Sequence, residues 1–236
     1  MTTGNTDRYT KGEYLANNPD WHVEDAGWKA TAIHQILIKN NVHPSSVTEI
    51  GCGAGAVLYE LSKLNSTVAS FSGYDISPQA ISMAAKYENN RLHYYSDDLL
   101  SIDAGLPDVL LMIDVLEHVE DYIGFLRKLK NKGKLFVFHI PLDLSRRSML
   151  KPHVLFQQRQ SVGHIHYFTR EMIEWALTDA GYEILDQVYT KPVTDISPAA
   201  TVKQALKKFL RNTSFYFFPD WSAAKWGNYS MLFLLK

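Results

Sequence analysis

Between residues 48 and 55 the chain reads Thr48-Glu49-Ile50-Gly51-Cys52-Gly53-Ala54-Gly55, with glycines at every second position after a short apolar run. A helical pattern follows. Such a strand-to-helix turn constrains the fold strongly, because glycines accept tight backbone geometry and let a ligand approach main-chain N–H groups at a helix N-terminus. The next strand-like run ends in Gly73-Tyr74-Asp75, placing an acid where a nucleotide-binding βαβ unit holds ribose hydroxyls. Gly51-x-Gly53-x-x-Ala56 also meets the loose dinucleotide fingerprint. From the residues alone, an NAD(P)-binding Rossmann oxidoreductase therefore stands beside other adenosine-type ligands. Glycines that serve only a turn do not account for the acid.

Around this turn, strand-like and helical runs alternate. An amphipathic helix is expected over residues 28–40, where Trp28, Ala32, Ile33, Ile36 and Leu37 share a face. Strands are expected at 47–50, 68–75, 91–96, 108–113 and 134–140. Helices are expected at 54–64, 76–87, 119–129 and 169–180. Ser77 caps the second of these with Pro78 behind it, and Thr169 caps the last, which Gly181 ends. The unbroken apolar run at 108–113 is typical of a strand covered on both faces. This alternation indicates an α/β doubly wound parallel sheet. Two more strands, 182–189 and 230–235, close the chain. They flank a stretch with Pro192, Pro198, Pro219 and a basic amphipathic helix over 201–210.

The chain has 236 residues, with 24 Lys+Arg against 25 Asp+Glu, a formal net charge of −1. That balance argues against a dedicated nucleic-acid backbone binder, which needs a surplus of cations. The single cysteine, Cys52, excludes an intrachain disulfide and any Cys-based metal cluster. The first residues are polar and no apolar run approaches the roughly 18 residues that span a bilayer. A soluble cytoplasmic protein is expected, as one domain over 1–236. It would comprise an aromatic arm and helix (1–46), a cofactor-binding core (47–141) and a substrate-side half (142–236) with inserts at 142–163 and 191–228.

Five stretches in order resemble the class I S-adenosylmethionine-dependent methyltransferases, in their ubiquinone-biosynthesis-like branch (types 11, 12 and 23). Glu49-Ile50-Gly51-Cys52-Gly53-Ala54-Gly55 resembles the first motif, and Gly73-Tyr74-Asp75-Ile76-Ser77 the acidic second. Tyr95-Ser96-Asp97-Asp98-Leu99 resembles the third-strand acid. Asp108 to Val119, ending Asp114-Val115-Leu116-Glu117-His118-Val119, resembles the fourth-strand block. Gly163-His164-Ile165-His166-Tyr167-Phe168-Thr169 and Ala180-Gly181-Tyr182 resemble the downstream pattern. The resemblance covers residues 47 to about 186. It implies a Rossmann-like seven-stranded sheet whose antiparallel last strand lies between the fifth and sixth, and it disfavours a nicotinamide dehydrogenase.

The resemblance also implies roles. Gly51, Cys52, Gly53 and Gly55 would pack against the methionyl part of S-adenosyl-L-methionine, or of its product S-adenosyl-L-homocysteine, with Glu49 near the amino group. Asp75 would take the ribose hydroxyls. Asp98, or its neighbour Asp97, would accept from the adenine amino group, with Ile76 and Leu99 on the ring faces. Ile113 would lie beside the sulfonium. His118 is the leading general base for a hydroxyl acceptor, with His164 the second candidate. His164 and His166 alternate about Ile165, so at most one faces the pocket. His139, in an apolar strand, reads as a satisfied core histidine. Asp114-x-x-Glu117-His118 resembles the cation-binding E-x-x-E-H cluster of some relatives. Asp is shorter than the usual Glu, so Glu117 is read as orienting His118 and no metal is expected.

The acceptor pocket is expected from three places: the arm with Tyr9, Tyr14, Trp21 and His22; the 142–163 insert with Arg146, Arg147 and Arg159; and the tail with Phe215, Tyr216, Phe217, Phe218, Trp221 and Trp226. Aromatics beside a few cations suit a small-molecule or saccharide acceptor, methylated on oxygen. The same tail would suit a homodimer or membrane-surface contact. A cofactor-binding module without activity is the remaining reading.

Overall fold

The computed structural model describes residues 9, 12–21, 23–196 and 199–236. His22 and Pro198, noted above, lie outside the described residues. Seven strands form one sheet in the order β3-β2-β1-β4-β5-β7-β6: β1 (Ser46–Ile50), β2 (Ser70–Tyr74), β3 (Leu92–Tyr95), β4 (Val109–Ile113), β5 (Leu135–Leu142), β6 (Ile184–Thr190) and β7 (Tyr229–Leu235). The first five are parallel. β7 runs antiparallel to both β5 and β6 and lies between them, as the resemblance implied.

Alternation along the strands sorts side chains into two cores. Val109, Leu111 and Ile113 of β4, Val137 of β5 and Leu232 and Leu234 of β7 face one layer. That layer is supplied by α2 (Ala26–Lys39) and α3 (Ala56–Leu64). Leu110, Met112, Phe136, Phe138, Met231 and Phe233 face the other, supplied by α5 (Tyr122–Leu129) and α8 (Arg170–Asp179). Every residue of β4 is buried, so Leu111→Ala should cost about 2–5 kcal/mol through lost transfer energy and a cavity.

Local chemistry sets the boundaries. The helix after the glycine turn starts at Ala56, because Gly55 is its cap at φ 76. Ser77 caps α4 (Pro78–Ala84) by accepting from the Ala80 N–H, with Pro78 at the first turn. The helix expected from residue 119 begins only at Tyr122, where Asp121 accepts from Gly124; a 3-10 turn, Leu116–His118, precedes it.

Both inserts are helical. Residues 142–163 carry α6 (Arg146–Leu150) and α7 (His153–Ser161). The later insert carries α9 (Pro192–Asp195), α10 (Val202–Phe217) and α11 (Pro219–Trp226). The basic helix thus runs seven residues past its expected end at residue 210, with a Thr201/Gln204 capping box at its start. At the other end of the chain, α1 (Glu13–Asn17) belongs to the arm. Among the described residues no helix is long and apolar enough to cross a membrane.

Candidate active site

Two cavities adjoin at the carboxyl ends of β1, β2 and β4, where open α/β sheets bind ligands. The first, about 290 Å³, is lined by Glu49, Gly51, Cys52, Gly53 and Ile113, then by Asp114, Glu117, His118, His139 and His164. The second, about 190 Å³, is lined by Asp75, Ile76, Asp97, Asp98 and Leu99 beside Tyr74 and Phe125. Tyr14, Trp21, Gly51, Asp114 and His118 line both. The sequence-derived cofactor residues therefore gather here, except Gly55. It lines neither cavity; it caps α3 and its carbonyl accepts from the Tyr94 hydroxyl at 2.6 Å.

Two of the glycines are required by what lies against them. At Gly53, φ is 54 and a Cβ would stand 2.5 Å from Trp21 Nε1; at Gly51, φ is 68 and a Cβ would stand 2.5 Å from Val115. The arm is thereby laid on the glycine turn. Tyr14 packs on Trp21 at 4.9 Å between rings, Tyr9 on Tyr14 at 4.9 Å, and Tyr9 on His118 at 5.6 Å.

The acids differ in what holds them. Asp75 accepts the Gly53 N–H at 2.9 Å and the Ser77 N–H at 2.8 Å, fixing both oxygens while leaving lone pairs for further donors. Burial raises its pKa, against these two N–H groups. Asp98 accepts from the Leu100 N–H and the Ser101 hydroxyl in its own turn. Glu49 is buried, and its Oε2 has no hydrogen-bond partner among the described residues. Burial pushes its carboxyl up to about 8; the Lys29 charge opposes this, and Asp75 and Asp114 add to it. Burial likewise raises the Cys52 thiol, helped by Asp75 and Glu49, so it is no nucleophile.

A second group of residues was not assembled by the sequence. Asp114, at φ 53, accepts Lys29 Nζ at 2.7 Å and His139 Nδ1 at 2.6 Å. His139 Nε2 meets the Thr190 hydroxyl at 2.8 Å, and Lys29 also meets Asp25 at 3.0 Å. Desolvation opposes the Lys29 charge, yet Asp114 and Asp25 together raise its pKa. His139 is buried as expected, and it also lines the first cavity. Lys29 carries no motif, and only the i+4 spacing to Asp25 hinted at its pairing.

The third group is Glu117, His118 and His164, whose potential ligand atoms lie within 4.8 Å of one another. Glu117 is fully buried, and neither carboxylate oxygen has a hydrogen-bond partner among the described residues. The His118 and His164 Nε2 atoms each stand 3.8 Å from its Oε1. The Gly163 carbonyl accepts from His118 Nδ1 at 3.1 Å, and Asp143 accepts from His164 Nδ1 at 2.6 Å. With both Nδ1 atoms donating, each neutral imidazole presents an unprotonated Nε2 toward Glu117. Burial raises the Glu117 pKa. Burial lowers that of His164, but Asp143 and the charge of Glu117 outweigh it and leave His164 raised. Asp114 takes no part in this cluster. His166 points elsewhere, to the Glu120 carbonyl at 3.2 Å.

The tail aromatics expected in the acceptor pocket line neither cavity. Phe215 stacks on Tyr229 at 5.3 Å, Trp226 donates to Ser214, and Tyr216, Phe217, Phe218 and Trp221 are exposed. Arg146, Arg147 and Arg159 are also absent from the lining. From the two inserts only Val162 and Pro192 reach the first cavity, joined by Trp28, Pro141 and Ser230.

Residues 25–187 match the methyltransferase-domain family. A stretch of 133 residues is 32% identical to the mitochondrial ubiquinone biosynthesis O-methyltransferase of Schizosaccharomyces pombe, covering 50% of this chain and 47% of that protein. Another of 89 residues is 29% identical to the small RNA 2'-O-methyltransferase of Arabidopsis thaliana, covering 33% and 9%. The chain thus spans less than half the length of these curated relatives. In fold it is similar to magnesium protoporphyrin IX methyltransferase from Synechocystis PCC 6803, with TM-score 0.58 and 16% identity over 89% of this chain and 82% of that one. It is also similar to the plantazolicin methyltransferase, with TM-score 0.57 and 19% identity over 96% and 88%. The antiparallel β7 and the family match speak against the nicotinamide oxidoreductase: the chain belongs to the methyltransferase-domain family and has the class I methyltransferase fold.

Proposed function

We propose that the chain transfers the methyl group of S-adenosylmethionine to an oxygen of a small metabolite or saccharide. One observation carries this reading: the two cavities adjoin at Gly51, Asp114 and His118, with the His164 imidazole lining the larger. The adenosine fits the smaller cavity, between Ile76 and Leu99 with Asp75 on the ribose. The methionyl end then follows the glycine turn toward Glu49. The sulfonium reaches the shared wall, and the acceptor occupies the rest of the larger cavity. Both curated relatives carry O-methyltransferase in their names, which supports an oxygen acceptor.

Methyl transfer from a sulfonium is an in-line displacement, so alignment and exclusion of water do most of the work. The acceptor oxygen bonds to the methyl carbon as the carbon–sulfur bond breaks, and sulfur keeps the electron pair. The hydroxyl proton passes to an imidazole Nε2, in the tautomer that Asp143 imposes on His164 or Gly163 on His118. The test is calorimetry with S-adenosylhomocysteine and NAD(P), followed by methyl release with catechol and saccharide acceptors. Binding of the first ligand and turnover on hydroxyl acceptors are expected. Binding without turnover across the acceptor panel would leave a cofactor-binding module, and NAD(P) binding alone would overturn the reading.

A second reading concerns a divalent cation at Glu117, His118 and His164. It rests on the orphaned, fully buried Glu117 carboxylate faced by two Nε2 atoms whose Nδ1 atoms are already held. A carboxylate with two imidazoles suits Mn²⁺, Fe²⁺ or Zn²⁺, and outer carboxylate and carbonyl partners typically orient such ligands. A cation held by Glu117, His118 and His164 would supply Lewis-acid polarisation of an acceptor hydroxyl. Chelator treatment followed by titration with Mg²⁺, Mn²⁺ and Zn²⁺ tests it. Stoichiometric binding that Glu117→Gln abolishes supports the site, and no binding by the wild type removes it.

A further inference from the structure

The helix α10 is inside out. A surface helix ordinarily turns its apolar stripe to the core, but here Val202, Leu206, Phe209, Leu210, Tyr216 and Phe217 fall within one arc of the helix and all are exposed, Val202 at 88% and Tyr216 at 81%. The opposite side holds the helix to the domain. Arg211, only 2% exposed, donates to the Gly227 carbonyl at 2.7 Å and lies over the Tyr229 ring. One turn on, Ser214 meets Ser222 at 3.0 Å. Phe218 and Trp221, in the turn and helix that follow, are exposed as well.

Cations flank the apolar arc. Lys203 borders one edge, and Lys207 and Lys208 stand beyond the two edges, toward the face that carries Arg211. The 142–163 insert adds Arg147 and Lys151; burial and the charges of Arg147, Arg211, Lys151 and Lys203 depress the Lys207 pKa. A groove of about 230 Å³ at this helix is lined by Arg147, Lys207, Lys208 and Arg211 with Gln204 and Asn228, and among the described residues no acid lines it. In a chain of net charge −1, this is a segregated basic surface. It also adjoins the reaction site: Pro192 of α9 lines the catalytic cavity and its neighbour Val193 lines the basic groove.

We propose that α10 is an interfacial helix that lays the enzyme on an anionic lipid bilayer, with its apolar arc in the headgroup region and its flanking cations on lipid phosphates. Apolar residues including aromatics, set opposite a short polar face and bordered by lysines, are the pattern of helices that lie in a membrane surface without crossing it. Charge complementarity selects this occupant over a second copy of the chain. A two-fold dimer through this face brings the basic clusters of both copies together, and like charges oppose it. The anchor would hold the catalytic cavity close to the bilayer surface.

The experiment is sedimentation of the full chain with vesicles of phosphatidylcholine, alone or with one quarter phosphatidylglycerol, at low and high salt. Wild type is expected to bind the anionic vesicles roughly ten-fold better than the neutral ones, and less at high salt. Phe209→Glu with Phe217→Glu should abolish binding, and Lys203→Glu with Lys207→Glu should remove the anionic preference. Unchanged S-adenosylhomocysteine affinity verifies that these variants fold, and the assay needs no acceptor, so its failure is separate from failure of the methyl-transfer reading. No vesicle binding by wild type, binding indifferent to Phe209→Glu with Phe217→Glu, or a wild-type dimer that this variant dissociates without any vesicle effect would each overturn the proposal.

Discussion

Asp114 holds Lys29 at 2.7 Å and, through its other oxygen, His139 at 2.6 Å, so one carboxylate ties α2 to β5 at the wall shared by both cavities. Lys29 and His139 are largely shielded from water. Removing Asp114 leaves the buried His139 without its acceptor and Lys29 with Asp25 alone, at a cost toward the low end of the roughly 3–5 kcal/mol for a buried pair that loses one partner. Asp114→Asn should therefore lower the melting temperature by roughly ten degrees. An unchanged melting curve would show the network to be energetically neutral.

Glu49 gives the chain a pH signature. Its carboxyl is pushed from the ordinary 4.5 up to about 8 in the fold, chiefly by burial. The folded state thus binds more protons than the unfolded one between these values, and this group's contribution to stability falls as pH rises through the interval, then levels off above about 8. Glu49→Gln removes the effect. The variant should match wild type near pH 4.5, gain on it steadily up to pH 8, and hold a constant advantage beyond. Thermal unfolding across that range checks the sign; an advantage that shrinks with pH would refute it. If the ammonium of S-adenosylhomocysteine pairs with Glu49, its binding at pH 7 should also release a proton, visible as a heat that depends on the buffer.

What was legible in the sequence follows from the range of each signal. The glycine turn and the apolar run of β4 are local, and they marked the cofactor side of the site. Placement of β7 between β5 and β6 came with the family resemblance, because periodicity carries no pairing information. Lys29 escaped notice since a lysine in an amphipathic pattern looks solvated, and its Asp114 partner is remote in the chain. His139 is buried and satisfied, as its apolar strand implies, but its place beside Ile113, the last residue of β4, also brings it to the cavity. The tail aromatics misled for a compositional reason: pocket walls and interfacial faces use the same residues, and only the orientation of α10 separates them.

Asp143 is a positioning residue for His164. Its Oδ2 accepts from the imidazole at 2.6 Å while its Oδ1 accepts from the Gln158 amide at 2.7 Å, so Gln158 fixes the carboxylate's orientation. Asp143→Asn can present an amide N–H where the imidazole needs an acceptor, which would turn the ring to the tautomer with Nε2 protonated. The methyl-transfer rate should fall by about 10²–10⁴, the range of a lost general base, while S-adenosylhomocysteine affinity stays unchanged. Equal loss of affinity and rate would assign Asp143 to the fold instead.

Trp21 covers the glycine turn so closely that residue 53 has no room for a methyl group, and with Tyr14 it lines both cavities. The arm therefore packs on the same glycine as the proposed methionyl site, and a cofactor bound there would lie against the arm. Trp21→Ala removes that cover. An aromatic contact of this kind contributes about 0.5–1.5 kcal/mol beyond its buried area, so S-adenosylhomocysteine binding should weaken by roughly two- to thirteen-fold, mainly through faster dissociation. The melting temperature of the free protein should change little, because the ring is not part of either core. Gly53→Ala should produce the larger defect, since its Cβ meets Trp21 and its φ of 54 disfavours any side chain. In the double variant Trp21→Ala with Gly53→Ala the clash is gone and only the backbone strain remains, so part of the affinity lost to Gly53→Ala should return. A double variant no better than Gly53→Ala alone would mean that the ring moves aside freely and does not act as a lid.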